Sequence, residues 1–422
     1  MKLKTFWASA LALCIVFFSS CEKDNNIEPE KHYSAFTESF ISMVNNNSEL
    51  KSLLTESIEL CRKQNPDKES NPVQSLSDYY DLVEWSIKCM PWEIFPQPAG
   101  RDLFNRIDQS LNYFYWLVDQ DLDALKDKDY YHPSLQYHEP FRTWLVDYTK
   151  EWGHYLSTPD SWNADYLKIV KDNEKFGLGQ GWYEDPSQWN SFNDFFARRL
   201  SSPSVRPISD PSDPSVVASP ADSEPQGIWA IDSEGLMVQK EGVVIKSRRY
   251  RSTEELMANS QYRSDFKNGT MTHTFLNVHD YHRYHFPMSG KILEIIDIPG
   301  DEAIGGDVVY DDATKTYIIE CEVPQWQAIE TRQLVVLETE FGKVAVMPIG
   351  MSQICSCNWT PGLKVGDEVK KGDQMGYFLF GGSDIVLLFQ SDVEVTMACP
   401  ENKNGGFEHV LMGEKLCVLK HK

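Results

Sequence analysis

Positive charge is scarce in this chain: 40 Lys and Arg stand against 63 Asp and Glu, a formal net charge of −23 over 422 residues. No basic stretch tracks phosphates, which argues against a nucleic-acid partner. The same lack argues against electrostatic adhesion to anionic lipid. An acidity of this size does keep an exported protein soluble. Long apolar runs are also missing, except at residues 8–18, a stretch too short to span a bilayer as a mature helix. There is no internal repeat, and no low-complexity block beyond a polar segment at 22–30. Cysteine is sparse as well. Setting aside Cys14 and Cys21 leaves Cys61, Cys89, Cys321, Cys355, Cys357, Cys399 and Cys417, an odd number that cannot all pair. A Cys61–Cys89 bridge is compatible with their place in one region. Cys355 and Cys357 sit in an apolar, strand-like setting and read as small core residues, with no metal assigned to them.

What is present begins with an export signal. Lys2 and Lys4 precede the apolar stretch, and Phe18-Ser19-Ser20-Cys21 resembles a lipobox, in which the cysteine is acylated and becomes the new N-terminus. Phe18 stands where an aliphatic residue is usual, so an ordinary cleaved secretory signal is the alternative. The expectation is a signal peptide over 1–20, lipidation at Cys21 and a flexible tether over 21–30. Two or three acyl chains would anchor such a protein, each buried methylene adding about 0.8 kcal/mol. The corresponding location is an exported, membrane-anchored lipoprotein, periplasmic or on the outer surface.

Some 400 residues beyond the signal predict at least two domains. The fold class expected is α+β: a helical extension over 31–188, then a β-rich barrel or sandwich over 189–422. Helical spacing places Leu103, Phe104, Ile107, Leu111, Phe114 and Leu117 on one stripe, and Phe141, Trp144, Leu145 and Tyr148 on another. Such aromatic faces are core far more often than ligand boxes. The last helix is expected over 188–200, ahead of a Pro/Ser-rich link at 201–214. Short β-rich runs then recur at 243–245, 293–298, 317–323, 334–338 and 343–349, with one short helix near 253–257. The segment 365–373 reads as two tight turns around a very short strand.

Near the C-terminus a single serine follows two glycines between apolar runs: Phe380-Gly381-Gly382-Ser383-Asp384-Ile385. Glycines there permit strained conformations that a side chain would forbid. A hydroxyl held in such a turn can face the carbonyl just before it. Three other segments join it. Ser219-Pro220-Ala221-Asp222 puts an acid at a Pro-rigidified turn, and Asp280-Tyr281-His282-Arg283-Tyr284-His285 concentrates histidines ahead of another. The run 341–350 is a strand ending in glycine. Acid, histidine and serine in that order supply an orienter, a base and a nucleophile on any fold that gathers them.

Together these motifs resemble the phosphatidylserine decarboxylase family of pyruvoyl enzymes, over roughly residues 189 to 420. Phe192-Asn193-Asp194-Phe195-Phe196-Ala197-Arg198-Arg199-Leu200 is similar to that family's leading helix. Lys371-Gly372, Gly376-Tyr377-Phe378 and Gly381-Gly382-Ser383 resemble its maturation site. Phe95-Pro96-Gln97-Pro98-Ala99-Gly100-Arg101 and the following helix resemble the extension of a branch that includes pyruvoyl tryptophan decarboxylases. The resemblance implies that Ser383 attacks the Gly382 carbonyl, with His285 as base and Asp222 orienting it. The product is a covalent pyruvoyl cofactor at position 383, which forms a Schiff base with a substrate amine and promotes loss of CO2. His282 is the candidate that positions the carboxylate or reprotonates the carbon.

Two positions depart from the pattern: Ser223 and Asp384 stand where the family usually has glycine and Thr or Ser. A carboxylate at 384 has three readings: slower elimination, a hold on a substrate cation, or a chain that does not mature. Three functions follow. The first is decarboxylation of phosphatidylserine to phosphatidylethanolamine at a membrane. The second is the same chemistry on a free amino acid, an aromatic one included. The third is a non-cleaving, ligand-binding lipoprotein. Zinc at His279, His282 and His285 suits a helical face, but Pro287 and the β-setting argue against it.

Overall fold

The computed structural model describes residues 31–422, other than 96–100, 129, 131, 238–242, 246–247, 251, 300–307, 320–330, 351–355, 382 and 404–405. The signal segment, Cys21, the tether, most of the 95–101 motif, Cys321, Cys355 and Gly382 therefore lie outside the described residues.

Helices α1 (Ala35–Asn46), α2 (Ser48–Gln64), α3 (Leu76–Ser86) and α4 (Leu103–Trp116) each start behind a side chain that accepts a backbone N–H. Ser34 accepts from Thr37, Asn47 from Leu50, Ser75 from Asp78 and Asp102 from Asn105. Each such cap is worth about 1 kcal/mol. Helices α5 (Phe141–Leu156) and α6 (Ala164–Lys171) follow. The aromatic stripe of α5 is core, as its spacing predicts: Phe141, Trp144, Leu145 and Tyr148 are all buried. Phe40 stacks on Trp144 at 3.9 Å, and Phe114 on Tyr148 at 4.6 Å. Cys61 and Cys89 are free thiols rather than a bridge, donating to the carbonyls of Trp116 and Ser86.

Helix α7 (Phe192–Phe196) is shorter than the expected 188–200. Ser191 caps it by accepting from the Asp194 amide. At its other end Arg198 leaves the helical path, and its guanidinium donates to the His279 and Asp280 carbonyls. A tertiary contact has overridden helical propensity there.

The remainder is strand: β1 (Val216–Ala218), β2 (Glu224–Ala230), β3 (Val243–Ile245) and β4 (Arg248–Tyr250), with α8 (Thr253–Met257) after them. Next come β5 (Thr270–Leu276), β6 (Arg283–His285), β7 (Gly290–Ile298), β8 (Val308–Asp311), β9 (Thr316–Ile319), β10 (Arg332–Thr339) and β11 (Gly342–Gly350). The chain ends with β12 (Cys357–Trp359), β13 (Glu368–Val369), β14 (Gln374–Phe378), β15 (Ser383–Phe389), β16 (Val393–Met397) and β17 (Lys415–His421). A seven-stranded antiparallel sheet, in the order β13-β7-β10-β11-β15-β5-β2, organises them. One face packs on the sheets β1-β17-β16 and β12-β14-β6 through Val217, Tyr284, Phe378 and Leu419. The opposite face packs on Leu256 and Met257 of α8 and on Phe266. The expected β-rich half is thus present as open antiparallel sheets, with no closed barrel among the described residues.

The hairpin β8–β9 leaves the other strands and packs on the helices. Tyr317 is buried between Tyr113 and Trp116, at 5.2 and 4.8 Å. Gln109 and Asn112 of α4 donate to its carbonyl. The two halves of the chain are tied at this point as well as at α7.

Candidate active site

Ser383 is the first residue of β15, and that strand is paired on both sides. Ser383 lies opposite Gly350 on β11 and Leu276 on β5, and no bulge interrupts either ladder as far as Phe389. The serine is fully buried, and its Oγ has no hydrogen-bond partner among the described residues. A hydroxyl left so costs about 1–3 kcal/mol, which marks it for a use other than packing. Gly381 just ahead has φ 142°, a region that L side chains rarely adopt. Gly381 is therefore needed where the chain approaches the strand.

Side chains alternate across a strand. Ser383 shares its face with Ile385, Leu387 and Phe389, whereas Asp384 shares the other with Val386 and Leu388. There His273 of β5 lies with Nε2 3.0 Å from Asp384 Oδ1, both groups buried. The carboxylate that follows the serine thus points away from the serine hydroxyl. His273 carried no signal in the sequence; only the register of β5 on β15 reveals it.

His285 is buried on β6, and its Nδ1 lies 2.8 Å from the Gly372 carbonyl oxygen. That oxygen only accepts, so Nδ1 carries the proton and Nε2 presents its lone pair. The Tyr281 hydroxyl stands 3.2 Å from Nε2 and donates to it. Burial lowers the His285 pKa to about 4; the Gly372 carbonyl opposes this in part, and the nearby Arg283 cation adds to it. His285 is therefore a neutral imidazole at neutral pH. Gly372 has φ 89°, the left-handed conformation of the turn after β13, and this turn aims its carbonyl at the ring.

Asp222 does not contact His285. Its Oδ1 and Oδ2 accept from Arg206 Nε and Nη2 at 3.0 and 2.7 Å, and Oδ1 also accepts from the Met412 amide at 2.7 Å. Arg206 is itself buried, with its guanidinium 4.3 Å from the Trp182 ring centre. Burial pushes the arginine's pKa down, but the carboxylate outweighs it and holds it above the ordinary value. The direct orienter of His285 is thus the Gly372 carbonyl, with Tyr281 on the other nitrogen. Tyr281 was legible within the histidine motif, whereas Arg206 lay hidden in the Pro/Ser-rich link.

His282 is fully buried, its ring stacked on Phe196 at 3.8 Å, and its carbonyl accepts from the Phe378 amide. Phe196 and Phe192 of α7 and Trp152 of α5 also surround Phe380, three residues before Ser383. Asn193 Oδ1 accepts from the Phe380 amide at 3.2 Å, and Asn193 Nδ2 donates to Ser157 Oγ at 2.9 Å. The helical half therefore holds the turn that leads to the serine. The histidines do not share one centre: His279 has Nε2 3.8 Å from Asp280 Oδ1, beside His409.

The buried Arg206–Asp222 pair generates a stability prediction. Arg206→Met removes the cation and strands a carboxylate that water cannot reach, at a cost of about 3–5 kcal/mol. Adding Asp222→Leu to Arg206→Met is expected to recover most of that loss, read by urea unfolding. If the double variant is no more stable than Arg206→Met, the pair is not what the site depends on.

Comparisons with known proteins place the chain in a family. The family model for phosphatidylserine decarboxylase matches residues 192–418, which is more than half of the 422 residues. A phosphatidylserine decarboxylase proenzyme of Fusobacterium nucleatum subsp. nucleatum is 32% identical over 282 residues, covering 65% of this chain and 83% of that protein. Phosphatidylserine decarboxylase proenzyme 2 of rice, Oryza sativa subsp. japonica, is 29% identical over 253 residues; these are 59% of this chain but only 37% of the rice protein. An L-tryptophan decarboxylase of Psilocybe cubensis is 30% identical over 214 residues, 48% of this chain and 47% of that protein. The leading helix, the acid turn, the histidine motif and the glycine–serine turn all fall inside the matched span, and the chain belongs to the phosphatidylserine decarboxylase family of carboxy-lyases.

Proposed function

We propose that this chain is a proenzyme that cleaves itself between Gly382 and Ser383 and then decarboxylates phosphatidylserine to phosphatidylethanolamine. One observation carries the reading: a fully buried Ser383 hydroxyl without a hydrogen-bond partner among the described residues, behind a glycine with φ 142°. The Ser383 Oγ–carbonyl bond forms as the Gly382–Ser383 peptide bond breaks, giving an ester. Loss of the Ser383 α-proton expels the Gly382 carboxylate, and hydrolysis of the resulting enamine releases ammonia. The residues fit a pyruvoyl group made this way, since Ser383 needs no partner lost and Asp384 faces the other side of the sheet. Such a group supplies an electron sink for the amine-bearing carbon that loses CO2.

The chain's own side chains do the rest. His285 is neutral and takes the serine proton, with Tyr281 next to its Nε2 as the relay. Asp222 acts at one remove, by holding Arg206 and the Met412 amide around this pocket. His282, packed on Phe196, positions the substrate carboxylate or returns a proton to carbon. Burial of these groups limits water at the reacting atoms to the one molecule that the hydrolysis consumes.

A second reading keeps the chemistry and replaces the lipid by a free amino acid. The tryptophan decarboxylase relative and the helical extension favour it. No helix among the described residues is long and apolar enough to cross a membrane. For lipid access we propose acylation at Cys21 of an exported protein, on the lipobox-like Phe18-Ser19-Ser20-Cys21. Cys21→Ala protein is expected to leave the detergent phase of a two-phase extraction; retention there would reject the acyl anchor.

Purified protein is expected to run as two fragments on a denaturing gel, the smaller with a blocked N-terminus, and Ser383→Ala as one. An intact wild-type chain after long incubation would favour a non-cleaving binding protein. Released CO2 then separates the substrates: turnover of tryptophan without turnover of phosphatidylserine vesicles would reject the lipid.

The pH course of self-cleavage tests the base. A general base acts in its unprotonated form, and the His285 pKa of about 4 leaves that form dominant at every higher pH. The rate is expected to be flat from about pH 5.5 to 8 and to fall as pH drops toward 4. Timed gels, with circular dichroism confirming the fold at each pH, make the measurement. A fall centred near pH 6.5 would show that an ordinary histidine is the base instead.

A further inference from the structure

A cleft of about 440 Å³ lies between α7 and β14, lined by Glu184, Asp194, Ala197, Arg283, Tyr377 and Leu379. Arg283 stands between His282 and His285 in the sequence, and its side chain lines this cleft while its charge is still felt at His285. The residue is only 7% exposed. Its Nε donates to the Ala197 and Arg198 carbonyls, and its guanidinium lies 4.9 Å from the Tyr377 ring centre. Those contacts fix the plane of the group. The two terminal nitrogens have no hydrogen-bond partner among the described residues, which leaves their four N–H groups for a ligand in the cleft that Arg283 lines.

The acids of the cleft are already engaged. Glu184 Oε1 accepts from Trp189 Nε1 and from the Arg199 amide, and its Oε2 lies 3.8 Å from Arg199 Nη1. Asp194 Oδ2 accepts from the Asn190 amide. What the cleft offers a ligand is therefore a planar, pre-oriented cation, suited to two parallel bonds with a tetrahedral or planar oxyanion. Tyr377 and Leu379 are on the run that leads to Ser383, and Asn193, also on the cleft, holds the Phe380 amide.

We infer that Arg283 binds a phosphate ester of the substrate in this cleft, at a distance from the bond that breaks. This rests on the decarboxylase reading given above. The alternative, that Arg283 holds the reacting carboxylate, is disfavoured because it would stabilise the ground state of the group that must leave as neutral CO2. An anion remote from the reaction has no such cost and adds binding that orients the amine and carboxylate. The cleft has room for a headgroup; acyl chains would run outside it.

The test separates this subsite from the reaction. Uncleaved Ser383→Ala protein is titrated by calorimetry with O-phospho-L-serine and with L-serine. The phosphorylated compound is expected to bind at least tenfold more tightly, and Arg283→Gln to abolish the difference, with Arg283→Lys intermediate. Gln188→Glu, on the exposed rim, adds a negative charge without touching the buried contacts and is expected to weaken O-phospho-L-serine severalfold. Equal binding of the two serines, or no effect of both Arg283→Gln and Gln188→Glu, would overturn the inference whatever the gel shows of self-cleavage. In mature protein, Arg283→Gln is expected to raise KM about tenfold more than it lowers kcat. If this rise is seen with phosphatidylserine alone, the phosphate is a lipid headgroup's; if it is seen with O-phospho-L-serine too, the soluble ester is also a substrate. A fall in kcat with unchanged KM would place Arg283 at the reacting carboxylate and reject the assignment.

Discussion

Everything at this site depends on the register of one strand. Ser383–Phe389 is buried throughout and paired on both edges, so its period of two decides which groups meet. A slip by one residue would exchange the faces of Ser383 and Asp384 and would place five large apolar side chains on the wrong sides. Each of Ile385, Val386, Leu387, Leu388 and Phe389 contributes about 1.5–3 kcal/mol by burial. Both faces are apolar, so a slip would keep that burial but misfit each side chain against its neighbours, and those misfits together exceed the roughly 1–3 kcal/mol cost of leaving one hydroxyl without a partner. The apolar half of the strand therefore holds the serine in a position that its own chemistry would not choose. A strained glycine turn at its start is tolerated for the same reason.

The helical half takes part in this. Trp152, Phe192 and Phe196 form a wall around Phe380, and Asn193 ties the Phe380 amide to Ser157 at the end of α5. The turn carrying Gly381 thus has one end in the central sheet and the other against the helices. Two further links, Tyr317 on α4 and Arg198 on the His279 and Asp280 carbonyls, keep that wall in register with the sheet. Removing the extension would take Trp152 from Phe380 and Ser157 from Asn193, and would leave Phe192 of α7 without Trp92 and Trp162. The extension is part of the site's construction rather than an appendage beside it.

Much of this was legible in the sequence, for identifiable reasons. The stripe on α5 and the short strands appeared because hydrophobic periodicity and turn residues act locally. The serine, the acid and the histidine motif stood out because Gly, Pro and clustered His are chemically distinctive. What was not legible depended on partners far apart in the chain. The helix expected over 188–200 stops at Phe196 because Arg198 finds carbonyls more than eighty residues away. The three-histidine run gave no sign that its members face different surroundings. Asp384 was read as a neighbour of Ser383, which it is in sequence, whereas β-alternation puts His273 beside it instead.

On the proposed reading of His285 as the base, the charge balance around it gives Asp222 a part without contact. A free carboxylate close to a buried imidazole would favour the imidazolium and raise its pKa. Asp222 is instead neutralised by two bonds from Arg206, both groups almost fully buried. Arg283 adds positive charge on the other side, and burial disfavours a charged ring outright. The Gly372 carbonyl pulls the other way but not far enough. A base kept neutral in this manner is available at every physiological pH, but it is a weak one. On the proposed reading it takes the proton of the buried Ser383 hydroxyl by way of Tyr281. A neutral buried imidazole and a buried hydroxyl without a partner among the described residues are what the proposed self-cleavage would use together.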